Sequence, residues 1–219
     1  MLKYPCLILD HDDTVVQSEA TINYPYFCYI LSQFRPGETI SLQEYIHACC
    51  QQGFARMCRE RYHFTDAEMA QEYEGWKTYI KEHAPSPYPG IDRIIQRQKA
   101  EGGILCVVSH SGAENIVRDY TVNFGILPDE IYGWDLPEEQ RKPNPYPLEA
   151  IMQKYNLSPN QLLVVDDMKP AYDMAQKVGV EVAFAKWSKT EQPDICKQMS
   201  QLCAYTFENT LELENFLFV

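Results

Sequence analysis

Apolar and polar positions along the chain fall into two textures. Residues 6–10, CLILD, are a short apolar run ending in acid, the pattern of a buried strand. From about residue 17 to His83, apolar positions recur at helical spacing and no strand pattern intervenes. Ser41-x-x-Glu44 and Thr65-x-x-Glu68 are capping boxes, and each predicts a helix start. After the second box, Met69, Tyr73, Trp76 and Ile80 recur every three or four residues, which predicts one apolar helix face. Gly53 is expected to interrupt the preceding helix, and Pro25 to kink the first helix or sit near its start. The aromatic run Tyr24, Tyr26, Phe27 and Tyr29 reads as core of this helical stretch. Residues 84–90, APSPYPG, form a proline-rich linker.

Beyond the linker the period switches back and forth. Residues 91–100 read as a helix and 103–109 as a continuous apolar strand. Ser111-x-x-Glu114 is expected to cap a helix ending near Gly125. Residues 131–133 form a short strand, and the RKPNPYP loop at 141–147 precedes a helix through Tyr155. A strand at 161–165, a helix at 170–178, a strand at 180–185 and a last helix capped by Asn209-x-x-Glu212 complete the pattern. Alternating strand and helix predicts an α/β fold, a parallel sheet with helices on both faces. The core takes residues 1–16 and 88–219, and an all-helical domain of residues 17–87 is inserted after the first strand.

Composition narrows the function. A net charge of −12 on 219 residues argues against nucleic acid and anionic membrane surfaces as partners. An anionic substrate therefore needs locally placed positive charge. The eight cysteines lack zinc-site spacing and any C-x-x-C pair. No apolar stretch reaches the ~18 residues that would mark a membrane span. The N-terminus has no signal-peptide pattern, and the cytoplasm is the expected location.

Ligands of open parallel sheets collect beyond the carboxyl ends of the strands. There the sequence places Asp10-His11-Asp12-Asp13-Thr14, then Ser109-His110-Ser111, Lys142 in its loop, and Asp166-Asp167. The first cluster is not a calcium loop, because its sixth position is Val15 and its twelfth Thr21. Asp13 and Thr14 also suit a turn or cap. Asp10, Asp12, Asp166 and Asp167 gathered at one edge would repel by ~1–4 kcal/mol per close pair. A hard divalent cation removes that penalty, and Mg²⁺ leaves coordination room for phosphate and water.

Four segments, in order, resemble the motifs of the haloacid dehalogenase superfamily, in the branch with a helical cap. LILDHDDT resembles the strand followed by D-x-D-x-T. LCVVSHS resembles the strand ending in Ser or Thr, RKPNP the lysine in its K-P-x-P setting, and LLVVDDMKPAYDMAQKVGV the strand, acidic pair and helix ending in Gly. The resemblance implies a Rossmann-like core, an inserted helical cap that selects the substrate, and a Mg²⁺-dependent phosphatase of small-molecule phosphate monoesters. It implies Asp10 as the nucleophile that forms an aspartyl-phosphate and Asp12 as the general acid and base. Ser109 would hydrogen-bond the phosphoryl group, and Lys142 would neutralise charge between phosphate and Asp10. Mg²⁺ would be held by Asp10, the backbone carbonyl of Asp12, Asp167 and Asp166, the last directly or through water. An aspartate at position 12 favours phosphoryl chemistry over halide displacement. A phosphomutase of the same fold, and a binding or regulatory relative without turnover, are the rival readings. The chain departs from the family at Asp13, where Gly is common, at Gln17, where Asp is common, and in the Asp166-Asp167-Met168 run. Asp173 is either a neighbour of the site or a helix residue. Arg56, Arg59 and Arg61 read as charges on an exposed helix face, with contact to a second anionic group as the alternative. The substrate and the oligomeric state are not legible.

Overall fold

A computed structural model describes residues 2–218. Six strands, β1 (Cys6–Leu9), β2 (Ile104–Val108), β3 (Glu130–Tyr132), β4 (Leu162–Asp166), β5 (Glu181–Ala185) and β6 (Tyr205–Phe207), form one sheet. Their order is β3-β2-β1-β4-β5-β6 and every neighbouring pair is parallel. β1 lies in the middle because its four residues, CLIL, are buried completely and require cover on both faces.

The chain divides into two compact units, residues 1–17 with 86–219, and residues 18–85. The smaller unit holds α1 (Tyr24–Phe34), α2 (Leu42–Gln52), α3 (Phe54–Arg61) and α4 (Asp66–Glu82). A five-residue π-helical turn, Glu19–Asn23, leads directly into α1, and Pro25 is the second residue of that helix. Both capping boxes form: the side chains of Ser41 and Thr65 accept the backbone N–H of Glu44 and Glu68. Gly53 separates α2 from α3 at φ +84, a conformation that suits glycine. The unit's own core gathers Tyr26, Phe27, Leu31, Tyr45, Met57 and Phe64. Tyr29, by contrast, is exposed. Gly75 lets the Tyr26 hydroxyl reach the Glu72 carbonyl at 3.1 Å, because a Cβ there would meet that hydroxyl at 2.1 Å.

The apolar face expected on α4 is corrected in one respect. Tyr73 is 55 % exposed, and the buried residue of this helix is Glu72, at 6 %.

In the larger unit, α5 (Ile91–Ala100), α6 (Ala113–Phe124), α7 (Tyr146–Tyr155), α8 (Lys169–Ala175), α9 (Pro193–Leu202) and α10 (Thr210–Leu217) accompany the sheet. Two apolar clusters use opposite faces of β1. Leu7 and Leu9 pack with Ile91, Ile95 and Leu213, whereas Cys6 and Ile8 pack with Leu148, Ile151 and Met174. α9 and β6 go beyond what the sequence pattern predicted. The start of α6 also differs: Gly112, not Ser111, occupies the cap, and Asp135 Oδ2 accepts the Ala113 N–H at 2.6 Å. Among the described residues, no helix is long and apolar enough to cross a membrane.

Candidate active site

Strand register assembles the site. Leu9 pairs with Val165, so the next residues, Asp10 and Asp166, reach the same level at the carboxyl edge of adjacent strands. The Asp10 N–H donates to the Val165 carbonyl at 2.9 Å and ties the two strand ends together. The chain then turns sharply. The N–H groups of Val15 and Val16 donate to the His11 carbonyl, and Asp13 takes φ +56. Aspartate is among the few non-glycine residues that tolerate this left-handed conformation, which accounts for the departure at position 13.

Asp10, Asp166 and Asp167 are all buried, and one carboxylate oxygen from each lies within 4.8 Å of the others. Lys142 Nζ enters this group, 2.9 Å from Asp10 Oδ1 and 2.7 Å from Asp166 Oδ2. The lysine's loop is anchored by His110, whose Nε2–H donates to the Lys142 carbonyl at 2.6 Å. Burial lowers the Lys142 pKa, but the carboxylates of Asp10 and Asp166 more than offset it and hold the ammonium charged. Burial pushes the Asp166 carboxyl up to about 8. The Asp10 and Asp167 carboxylates add to that rise, and Lys142 opposes it.

Ser109 follows β2, the strand on the other side of β1, and is buried. Its N–H donates to the Tyr132 carbonyl at 3.0 Å, and its Oγ accepts the Ser111 N–H at 3.2 Å. Asp12 lies in the turn after β1, half-buried. Asp173 pairs with Lys169 one helical turn away, at 2.6 Å, on α8. In the smaller unit, Arg56 and Arg59 pair with Glu60 and Asp66, and Arg61 lies 3.9 Å from Glu44.

Two further groups were missed by sequence reasoning. Lys189 is 4 % exposed and contacts Asp167 Oδ2 at 2.5 Å and Asp13 Oδ2 at 3.2 Å. It sits just past β5, so the strand-end rule carried one strand further reaches it. His11, between two of the acids, points instead to Asp119 Oδ2 at 3.0 Å and stacks on Tyr120. Nothing in the sequence marks Asp119, a mid-helix residue of α6, as its partner.

The model of the haloacid dehalogenase-like hydrolases matches residues 7–185. The chain belongs to this hydrolase family. No curated protein sequence matched. Among solved structures, a predicted phosphoglycolate phosphatase from Haemophilus somnus is 20 % identical, with 99 % of each chain covered and a TM-score of 0.75. A haloacid dehalogenase superfamily hydrolase of subfamily IA from Geobacter sulfurreducens is 14 % identical, with 99 % of this chain and 97 % of that one covered and a TM-score of 0.74. CbbY from Rhodobacter sphaeroides, solved in complex with phosphate, is 18 % identical, with coverage of 84 % and 86 % and a TM-score of 0.60. At these identities the likeness establishes the family's fold, a Rossmann-like α/β core with a helical insert.

The side chains present suit a hard divalent cation. Three buried carboxylates converge with only oxygen donors, and burial, with the neighbouring Asp10 and Asp167 carboxylates adding to it, raises the Asp166 carboxyl, a cost of ionisation that a cation would offset.

Proposed function

We propose that the protein is a phosphatase that hydrolyses a small-molecule phosphate monoester through an aspartyl-phosphate on Asp10. The observation that carries this reading is the contact of Lys142 with Asp10 and Asp166 inside a buried acidic cluster. Such a pocket combines a carboxylate nucleophile with fixed positive charge. Those are the parts that phosphoryl transfer needs. The phosphatase name of the Haemophilus somnus relative and the phosphate held by CbbY support a phosphoryl substrate.

In the first step an Asp10 carboxylate oxygen forms a bond to phosphorus and the ester P–O bond breaks. Asp12 gives its proton to the departing oxygen. In the second step Asp12 takes a proton from water, whose oxygen attacks phosphorus and releases Asp10 and inorganic phosphate. Lys142 holds its ammonium where negative charge accumulates on the phosphoryl oxygens. Ser109 donates its hydroxyl hydrogen to one of those oxygens. Asp10, the Asp12 carbonyl, Asp166 and Asp167 would hold Mg²⁺, which supplies further positive charge to the phosphoryl group when bound.

The test is a phosphate-ester panel assayed with Mg²⁺ and with chelator, with wild type beside Asp10→Asn. Mg²⁺-dependent phosphate release that disappears in the variant is the expected result. Isomer interconversion without phosphate release would establish a mutase. No turnover of any ester would overturn the enzymatic reading.

A further inference from the structure

The smaller unit contains a cavity of about 570 Å³ whose walls include Glu19 and Glu72 together with Tyr45, Phe54, Tyr73 and Trp76. Glu72 is 94 % buried, taking its 6 % exposure as the remainder, and no hydrogen bond or ion pair reaches its carboxylate among the described residues. Burying a carboxylate without a partner is strongly unfavourable, so the position asks for a counter-charge that the chain does not supply. Glu19 is held at the same cavity by a relay. Trp76 Nε1–H donates to Asn23 Oδ1 at 3.0 Å, and Asn23 Nδ2–H donates to Glu19 Oε1 at 3.1 Å.

We propose that this cavity binds a small organic cation, with an ammonium group seated against Glu72 and Glu19 and its hydrocarbon body against the aromatic walls. The volume falls within the range of small-molecule pockets. Ammonium groups are attracted both to carboxylates and to the faces of Trp and Tyr rings. Among the described residues the walls carry no lysine, arginine or histidine, so an anion finds no partner there. A bare metal ion is poorly served as well. Among the described residues the one cluster of three ligating side chains is Asp10, Asp166 and Asp167, and neither glutamate belongs to it. Burial pushes the Glu72 carboxyl up to about 7, as expected of a carboxyl whose charge the protein leaves uncompensated.

Titration calorimetry of the full chain tests this independently of any hydrolysis. The probes are choline, ethanolamine and 3,3-dimethylbutan-1-ol, the last a neutral analogue of choline's shape. At least one of the two cations should bind saturably, and choline about tenfold or more tighter than its neutral analogue. Glu72→Gln should weaken cation binding about tenfold or more, with an unchanged circular dichroism spectrum. Glu19→Gln should act in the same direction and serves if the first variant does not fold. Equal affinity for choline and its neutral analogue would make this an apolar pocket only. Absence of saturable binding by either cation at millimolar concentration, or unchanged affinity in the variants, would also overturn the proposal.

Discussion

Lys142 Nζ sits 2.9 Å from Asp10 Oδ1, an ion pair closed across 132 residues of sequence between two buried side chains. The same ammonium lies 2.7 Å from Asp166 Oδ2, so one cation serves two carboxylates that adjacent strands carry to the same level. A charge so confined is preorganised and would need little rearrangement if a phosphoryl group gained negative charge beside it.

Lys142→Ala is therefore expected to lower kcat on the order of 10²-fold or more, the scale of removing one preorganised electrostatic stabiliser. Steady-state kinetics on the best ester of the panel measures it. A near-normal kcat would assign Lys142 to fold stability alone.

Lys189 neutralises Asp167 and Asp13 from the β5 side of the site. Lys189→Met leaves both acids buried without that cation, and breaking a buried pair in this way costs roughly 3–5 kcal/mol. Urea unfolding in chelator should report a loss of that order. A midpoint that does not move would mean that the pair contributes nothing to folding.

Mg²⁺ should stabilise the native protein by an amount that grows with the logarithm of its concentration above Kd, about 2.7 kcal/mol at a hundredfold excess. Thermal unfolding across a Mg²⁺ titration should show Tm rising in wild type and staying flat in Asp167→Asn. An equal rise in both would remove Asp167 from the ligand set.

Burial pushes Glu72 up to about 7 from an ordinary 4.5. The folded state then holds a proton that the unfolded chain gives up earlier. The stability tied to that proton is fully present below pH 4.5 and is lost as pH rises through about 7. Glutamine mimics the protonated form, so Glu72→Gln should gain in Tm over wild type between pH 5 and about pH 7 and then level off. The comparison is made without added amines. A constant difference from pH 5 to pH 8 would show that Glu72 is not the titrating group.

Much of the site was legible before any coordinates. Apolar runs that end in acid mark strand ends, and parallel sheets collect chemistry at that edge. Asp10, Asp166 and Asp167 follow from those two facts, Lys142 from the resemblance of its RKPNP loop to a family motif, and the four meet in the structure. Caps were legible where the side chain bonds its own backbone three residues on, as at Ser41, Thr65 and Asn209. The start of α6 was not, because its donor is satisfied by Asp135, which lies 22 residues away. β6, Tyr205–Phe207, was not read from the pattern either.

The sequence by itself determined the α/β alternation, the helical insert and the identity of the acidic edge, because hydrophobic period and turn chemistry are local properties. Only the tertiary structure decided which side chains meet and which are buried: Lys189 beside Asp167, His11 beside Asp119, and Glu72 rather than Tyr73 out of solvent. Those outcomes depend on distances between segments far apart in the chain, which packing sets and local pattern does not encode.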